Sequence, residues 1–274
     1  MFNWIVPDRY RSRLRVQSDN NSDVDRVYVI GDVHGRLDLF GQLISLIKED
    51  HAVRGPCTTR IIMIGDLVDR GPNSAALVEW CRVLTDSSDR FVVLKGNHEA
   101  LMVQALDGDV KALAFWLQHG GCETLASWGI SIEAFEGKSE LSLISEARRV
   151  IGWQTLAWMD ALPLSIRCWD YMVVHAGVRP GIALDQQAEG DLLWIRRPFL
   201  ESEEDHGAVI IHGHTIHEGG PDIRSNRINI DTGAYKTGML TAIGIQRGET
   251  WYLSTSPSSP SEQDKRLGSQ AVNA

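Results

Sequence analysis

Short runs of apolar, β-prone residues recur along the chain, and the strongest of them end in polar, glycine-bearing turns. Residues 27–30 form one such run, followed by a stretch that puts Leu37, Phe40, Leu43, Ile44 and Ile47 on one helical face. Residues 61–64 repeat the pattern and lead, after Pro72-Asn73-Ser74, into a helix carrying Ala76, Leu77, Trp80 and Leu84. Residues 91–94 make a third strand before a helix at about 99–106. Strand, turn and helix three times over predict parallel β-α-β units, whose ligands bind at the carboxyl ends of the strands. From about 107 to 162 the periodicity is helical, with segments at 112–117 and 141–159 that read as a cap beside the site. Strands resume at 171–174, 209–211, 228–230, 239–245 and 251–253. They come without helices between them, which predicts a second, partly antiparallel sheet.

Residues 1–25 read as a loosely ordered leader, 26–253 as the folded body and 254–274, rich in Ser and Pro, as a disordered tail. A hydrophobic share of 43% and a charged share of 23% are ordinary for a globular enzyme. No apolar run approaches the roughly 20 residues of a membrane span. The N-terminus places its arginines after its apolar start, the reverse of a secretory signal. Cys57, Cys81, Cys122 and Cys168 form no C-x-x-C pair and read as reduced thiols of a cytoplasmic protein. A net charge of -9 disfavours general nucleic-acid binding, although some of that charge sits in candidate metal ligands.

The candidate chemistry lies in five turns: Gly31-Asp32-Val33-His34-Gly35, Gly65-Asp66-Leu67-Val68-Asp69-Arg70-Gly71, Gly96-Asn97-His98-Glu99, His175-Ala176-Gly177 and Gly213-His214-Thr215. Taken alone, Asp32-x-His34 reads better as an Asx turn beside a surface histidine. Asp66, however, sits at the same place on the next strand, with two oxygens able to bridge two ions. Asn97 and His98 close the third strand, and an Asn oxygen is tolerated as a ligand where hard oxygen donors dominate. His175 and His214 each follow a buried strand. So many ligand types converging on one sheet edge point to a metal site. Asp231-Thr232-Gly233 lacks the second Asp-Thr-Gly of an aspartic protease and reads as a turn near that site. Gly137-Lys138-Ser139 lacks the leading glycine of a phosphate-binding loop, and Trp116, Trp128, Trp153 and Trp158 read as core.

In order and content the five turns resemble the phosphoprotein phosphatase branch of the calcineurin-like metallophosphoesterases, in its bacterial and phage form. The resemblance covers most of residues 26–250. It implies an α/β (α+β) fold of two packed mixed β-sheets flanked by helices, an αββα sandwich. It implies two divalent metal ions, most commonly Mn, with Fe, Zn or Mg also found in the family. Asp32, His34 and Asp66 would hold one ion, and Asp66, Asn97, His175 and His214 the other. Two such cations would lower the pKa of a water between them, and the resulting hydroxide would attack phosphorus. His98, not spent on a metal, would be the general acid, with Asp69 holding its ring. Arg70 and Arg196 would clamp phosphate oxygens, a task suited to the guanidinium fork. The implied activity is hydrolysis of phosphoserine, phosphothreonine or a broader range of phosphomonoesters. The rival readings are a symmetrical dinucleoside-tetraphosphate hydrolase, on the same metal core, and a catalytically dead binding module. The presence of both Asp69 and Glu99 favours the phosphatase over the tetraphosphate hydrolase. The expected partners are phosphoprotein or small phosphoester substrates, with no nucleic acid and no membrane.

Overall fold

The computed structural model describes residues 16–17 and 24–256. Most of the expected leader and of the expected tail lies outside these residues. In chain order the elements are β1 (Val16–Gln17), β2 (Arg26–Ile30), α1 (Leu37–Arg54), β3 (Thr59–Met63), α2 (Ser74–Ser87), β4 (Phe91–Val93), α3 (Asn97–Leu106), α4 (Val110–Trp116), α5 (Cys122–Ser127), α6 (Glu140–Ile151), α7 (Trp153–Ala161), β5 (Ser165–Cys168), β6 (Tyr171–Val174), α8 (Glu189–Trp194), α9 (Arg197–Leu200), β7 (Val209–His212), β8 (Asp222–Ile223), β9 (Arg227–Asn229), α10 (Ala234–Thr237), β10 (Thr241–Gln246) and β11 (Glu249–Ser254).

The strands form two sheets, one in the order β11-β10-β2-β3-β4 and the other β1-β5-β6-β7-β9-β8. In the first, β2, β3 and β4 are parallel, as the strand–turn–helix repeats predict. In the second, β6, β7 and β9 are parallel, β5 runs antiparallel to β6 and β8 to β9, and β1 pairs parallel with β5. The sheet is thus partly antiparallel, as expected, but not with the expected membership. The closing hairpin, β10 and β11, joins the first sheet by antiparallel pairing of β10 with β2. The reason lies in burial: Ile243 and Ile245 enter the core between the sheets, while Leu240, Ala242, Trp251 and Leu253 pack with Tyr28 and Ile30 in the core under α1 and α2. The helical stretch expected at 141–159 is two helices, α6 and α7, broken at Gly152, whose φ of +84° ends the first.

The period-two alternation of β2 explains the layering. Val27 and Val29 face the other sheet and pack with Ile62, Ile64, Val173, Ile211 and Ile228. Tyr28 and Ile30 face outward, against Phe40 and Leu43 of α1 and Leu77 of α2. On the far side, Met172, Val174 and Ile210 pack under Leu192 and Phe199 of α8 and α9. Helix, sheet, sheet, helix is the result. The segment 107–162 adds Leu113, Trp116, Leu125, Leu143 and Ile144 to the same core as α1 and α2. All four cysteines are free thiols. Among the described residues no helix is long and apolar enough to cross a membrane.

Candidate metal centre and active site

Each ligand-bearing turn begins at the carboxyl end of a strand: Asp32 and His34 after β2, Asp66 after β3, Asn97 after β4, His175 after β6 and His214 after β7. Parallel pairing within each sheet puts these ends on one edge. The backbone there is strained. Among the described residues seven non-glycines have positive φ, and five of them are His34, Asp66, Asp69, Arg70 and His214. Such conformations cost energy and persist where the surroundings over-determine them, typically at functional sites. Gly65, with φ +101°, allows the approach: a Cβ there would stand 2.4 Å from the Gly96 nitrogen.

Two groups of side chains have ligand atoms lying within 4.8 Å of one another, His34–Asp66–His98 and Asp66–His175–His214, and Asp66 belongs to both. Its Oδ2 lies 3.4 Å from His34 Nε2 and 3.9 Å from His98 Nε2, whereas Oδ1 lies 3.5 Å from His175 Nε2. All five residues are at most lightly exposed except His214, which is half-buried. His98, expected to be a proton donor and not a ligand, therefore stands within the first group. Asp32 belongs to neither group: its Oδ2 accepts the His214 backbone N–H at 3.1 Å, and its buried Oδ1 has no hydrogen-bond partner. Asn97 Oδ1 lies 2.8 Å from His175 Nε2 and 2.9 Å from His214 Nδ1.

The donor set fits metal ions. The Nδ1–H groups of His34 and His175 donate to the carbonyls of Val68 (2.8 Å) and Ile64 (3.0 Å), so each ring turns its Nε2 lone pair into the site. Burial pushes the imidazoles of His34, His175 and His214 below their ordinary pKa, which keeps those lone pairs free. His175 Nε2 then faces the Asn97 oxygen, acceptor against acceptor, an arrangement that a cation would satisfy. Carboxylates crowd the same place. Burial, followed by the charges of Asp231 and Asp66, pushes Asp32 well above the usual carboxylate range. Burial likewise raises Asp231 to about 6. The mixed nitrogen and oxygen set suits Mn, Fe or Zn without choosing among them.

At the mouth, His98 Nδ1–H donates to Asp69 Oδ2 at 2.5 Å, with Asp69 fully buried. Burial lowers the His98 pKa, but Asp66 and Asp69 outweigh it and the net shift is upward. Arg70 donates to Nε2 of His34 (3.1 Å) and of His98 (3.2 Å), and its guanidinium lies 4.5 Å over the Tyr235 ring. Arg196 Nε donates to His214 Nε2 at 3.2 Å. Every residue expected from the sequence is thus at this one edge.

Three neighbours have no site role in the sequence analysis: Glu99, Asp231 and Tyr235. The buried carboxylate of Glu99 accepts the backbone N–H groups of Asp66 (2.8 Å), Leu67 (2.7 Å), Val68 (3.2 Å) and Gly96 (2.9 Å), tying two ligand loops together. Asp231 was assigned only to a nearby turn, and Tyr235 not at all. A strand-end Asp in the manner of Asp32 and Asp66 was the available signal for Asp231.

A two-sheet sandwich with shared histidine–carboxylate groups at its strand ends defines a hydrolase of the metal-assisted phosphoesterase class. The chain belongs to the calcineurin-like phosphoesterase family, whose sequence profile matches residues 25–237. It is similar to serine/threonine-protein phosphatase 1 of Salmonella typhimurium, 30% identical over 230 residues, 80% of this chain and 92% of that protein. It is also similar to a symmetrical bis(5'-nucleosyl)-tetraphosphatase of Glaesserella parasuis, 28% identical over 155 residues, 56% of this chain and 45% of that one. Among solved structures, that of a proposed diadenosine tetraphosphatase shares the fold, with a TM-score of 0.61 at 18% identity over 90% of this chain and 100% of the other.

Proposed function

We propose that the chain hydrolyses phosphomonoesters of serine and threonine in proteins, using two divalent ions, most naturally Mn, held by Asp32, His34, Asp66, Asn97, His175 and His214. When bound, such ions supply Lewis acidity toward phosphoryl oxygens and lower the pKa of water. The chain's own groups do the rest. Asp66 separates the two groups of ligands and presents one oxygen to each. Arg70 and Arg196, which donate to imidazole nitrogens in this state, turn their N–H groups to the nonbridging phosphoryl oxygens. The ester P–O bond breaks as the oxygen of water bonds to phosphorus. With Arg70 turned to phosphate, His98 Nε2 takes up a proton from solvent; the leaving oxygen takes the electron pair of the broken bond and that proton, and the proton lost by the attacking water returns to solvent, from which His98 is recharged.

The observation that carries the choice of substrate is the buried Asp69–His98 pair at 2.5 Å. A serine or threonine alkoxide is strongly basic and cannot depart without a proton, whereas a nucleotide phosphate leaves readily as an anion. A poised general acid therefore supports the monoester reading. The likeness to the tetraphosphatase keeps a second reading in play, hydrolysis of diadenosine tetraphosphate. The test is a side-by-side assay of Mn-loaded protein on a phosphothreonine peptide and on diadenosine tetraphosphate. Higher kcat/KM on the peptide is expected, and preference for the dinucleotide would overturn the assignment while leaving the metal chemistry intact.

A further inference from the structure

We propose that Trp116 and Thr124, in the helical segment read from sequence as a cap, are positioning residues for the Asp69–His98 pair. The inference rests on the reading of His98 as proton donor. It makes that segment part of the acid machinery rather than a cover over it.

The Asp69 carboxylate is fully buried, and each of its oxygens is occupied. Oδ1 accepts Thr124 Oγ1–H at 2.6 Å and Trp116 Nε1–H at 2.9 Å. Oδ2 accepts His98 Nδ1–H at 2.5 Å and shares the same indole N–H at 3.0 Å. With Oδ1 saturated from the helical side, the carboxylate cannot rotate, and Oδ2 stays aimed at the imidazole. Thr124 also holds the other end of the residue, because its Oγ1 accepts the Asp69 backbone N–H at 2.8 Å. That backbone is strained, with φ +75° at Asp69 and +69° at Arg70, and the Gly120 carbonyl accepts the Arg70 N–H at 3.4 Å. The segment thus grips the loop at three points.

The local sequence is built for this grip. Trp116 closes α4 and Thr124 lies in α5, and between them His119 and Gly120 leave helical geometry. The break brings both donors onto one carboxylate. Trp116 is the largest fully buried side chain among the described residues. A Cβ on Gly121 would fall 2.7 Å from its indole, so the glycine lets the turn lie flat against the ring. A buried indole N–H needs an acceptor in any case, and here the acceptor is the carboxylate that holds His98.

A positioning role and a purely structural one differ in what they do to different leaving groups. Phenolate needs the proton from His98; 2,4-dinitrophenolate departs without it. The experiment measures kcat/KM of Mn-loaded protein on phenyl phosphate and 2,4-dinitrophenyl phosphate, with bound metal quantified, for wild type, Thr124→Val, Thr124→Ser, Trp116→Phe and His98→Ala. The expected result is a loss of about tenfold or more on phenyl phosphate for Thr124→Val and Trp116→Phe, with the activated ester within about twofold and metal content unchanged. Thr124→Ser, which keeps the hydroxyl, restores the phenyl phosphate rate. Equal losses on both substrates, or wild-type rates on both, in the Thr124 and Trp116 variants while His98→Ala discriminates would overturn this inference alone. Equal losses in His98→Ala itself would remove the acid role, and the inference with it.

Discussion

Replacing Asp69 with Asn changes one oxygen for an NH2 group and little else in shape. Asp69 Oδ1 is held by Thr124 and Trp116, so the amide oxygen of Asn stays on that side and its NH2 faces His98. The bond from His98 Nδ1–H to Oδ2, at 2.5 Å, becomes donor against donor. The ring escapes by carrying its single proton on Nε2 and accepting at Nδ1, which leaves it neutral and a poor acid. A hydrogen bond to a charged group contributes about 1.5–3 kcal/mol. At about 1.4 kcal/mol per decade that is roughly ten- to a hundredfold in rate, toward the lower end of what general acid catalysis supplies. The pH profile should move as well. Asp66 and Asp69 together hold the His98 pKa up against burial. Removing one of them lowers it, so the rate is lost at a lower pH as pH rises than in wild type. The assay is kcat for phenyl phosphate against pH, with Mn content matched between proteins. A variant with wild-type kcat and an unmoved alkaline limb would refute the role assigned to the pair.

Other consequences follow from the same geometry. Glu99→Ala leaves four buried backbone N–H groups without their acceptor, at about 1–3 kcal/mol for each that water does not reach. A loss of about 4 kcal/mol or more should appear in urea denaturation of the metal-free protein, a large part of the 5–15 kcal/mol typical of a domain. Arg196→Ala removes one of the two guanidiniums proposed to clamp phosphate, so kcat/KM for phosphopeptide should fall roughly ten- to a hundredfold while metal content holds. Asp231 sits at about 6, above its unfolded value, so its contribution to the stability of the metal-free protein is present at low pH and lost as pH rises through that value. The gain in Tm on adding Mn should accordingly be larger at pH 8 than at pH 5. An equal gain at both would contradict it.

The strand-end ligands were legible in the sequence because each follows a short apolar run directly, and a parallel sheet puts such ends together whatever the rest of the chain does. The hairpin was not. Residues 241–246 and 249–254 look alike as members of either sheet, and only the pairing of β10 with β2, with Ala242 buried beside Tyr28 and Ile30, decides between them. Nor could local pattern reveal Trp116 or Thr124, since their donors reach Asp69 only through the break at His119 and Gly120. Trp116 did prove to be core, as read, and its N–H carries a second task that burial alone does not announce. Glu99 was noticed as a motif residue, but its four acceptor bonds depend on the β3 and β4 turns meeting in space.

The most direct test of the central claim is hydrolysis of p-nitrophenyl phosphate by metal-stripped protein titrated with Mn, beside Asp66→Asn. The account predicts turnover that rises until two ions are bound per chain, and that is lost with the second ion's binding in the Asp66 variant. No turnover with Mn, Mg, Zn or Fe, or full turnover in Asp66→Asn, would contradict it.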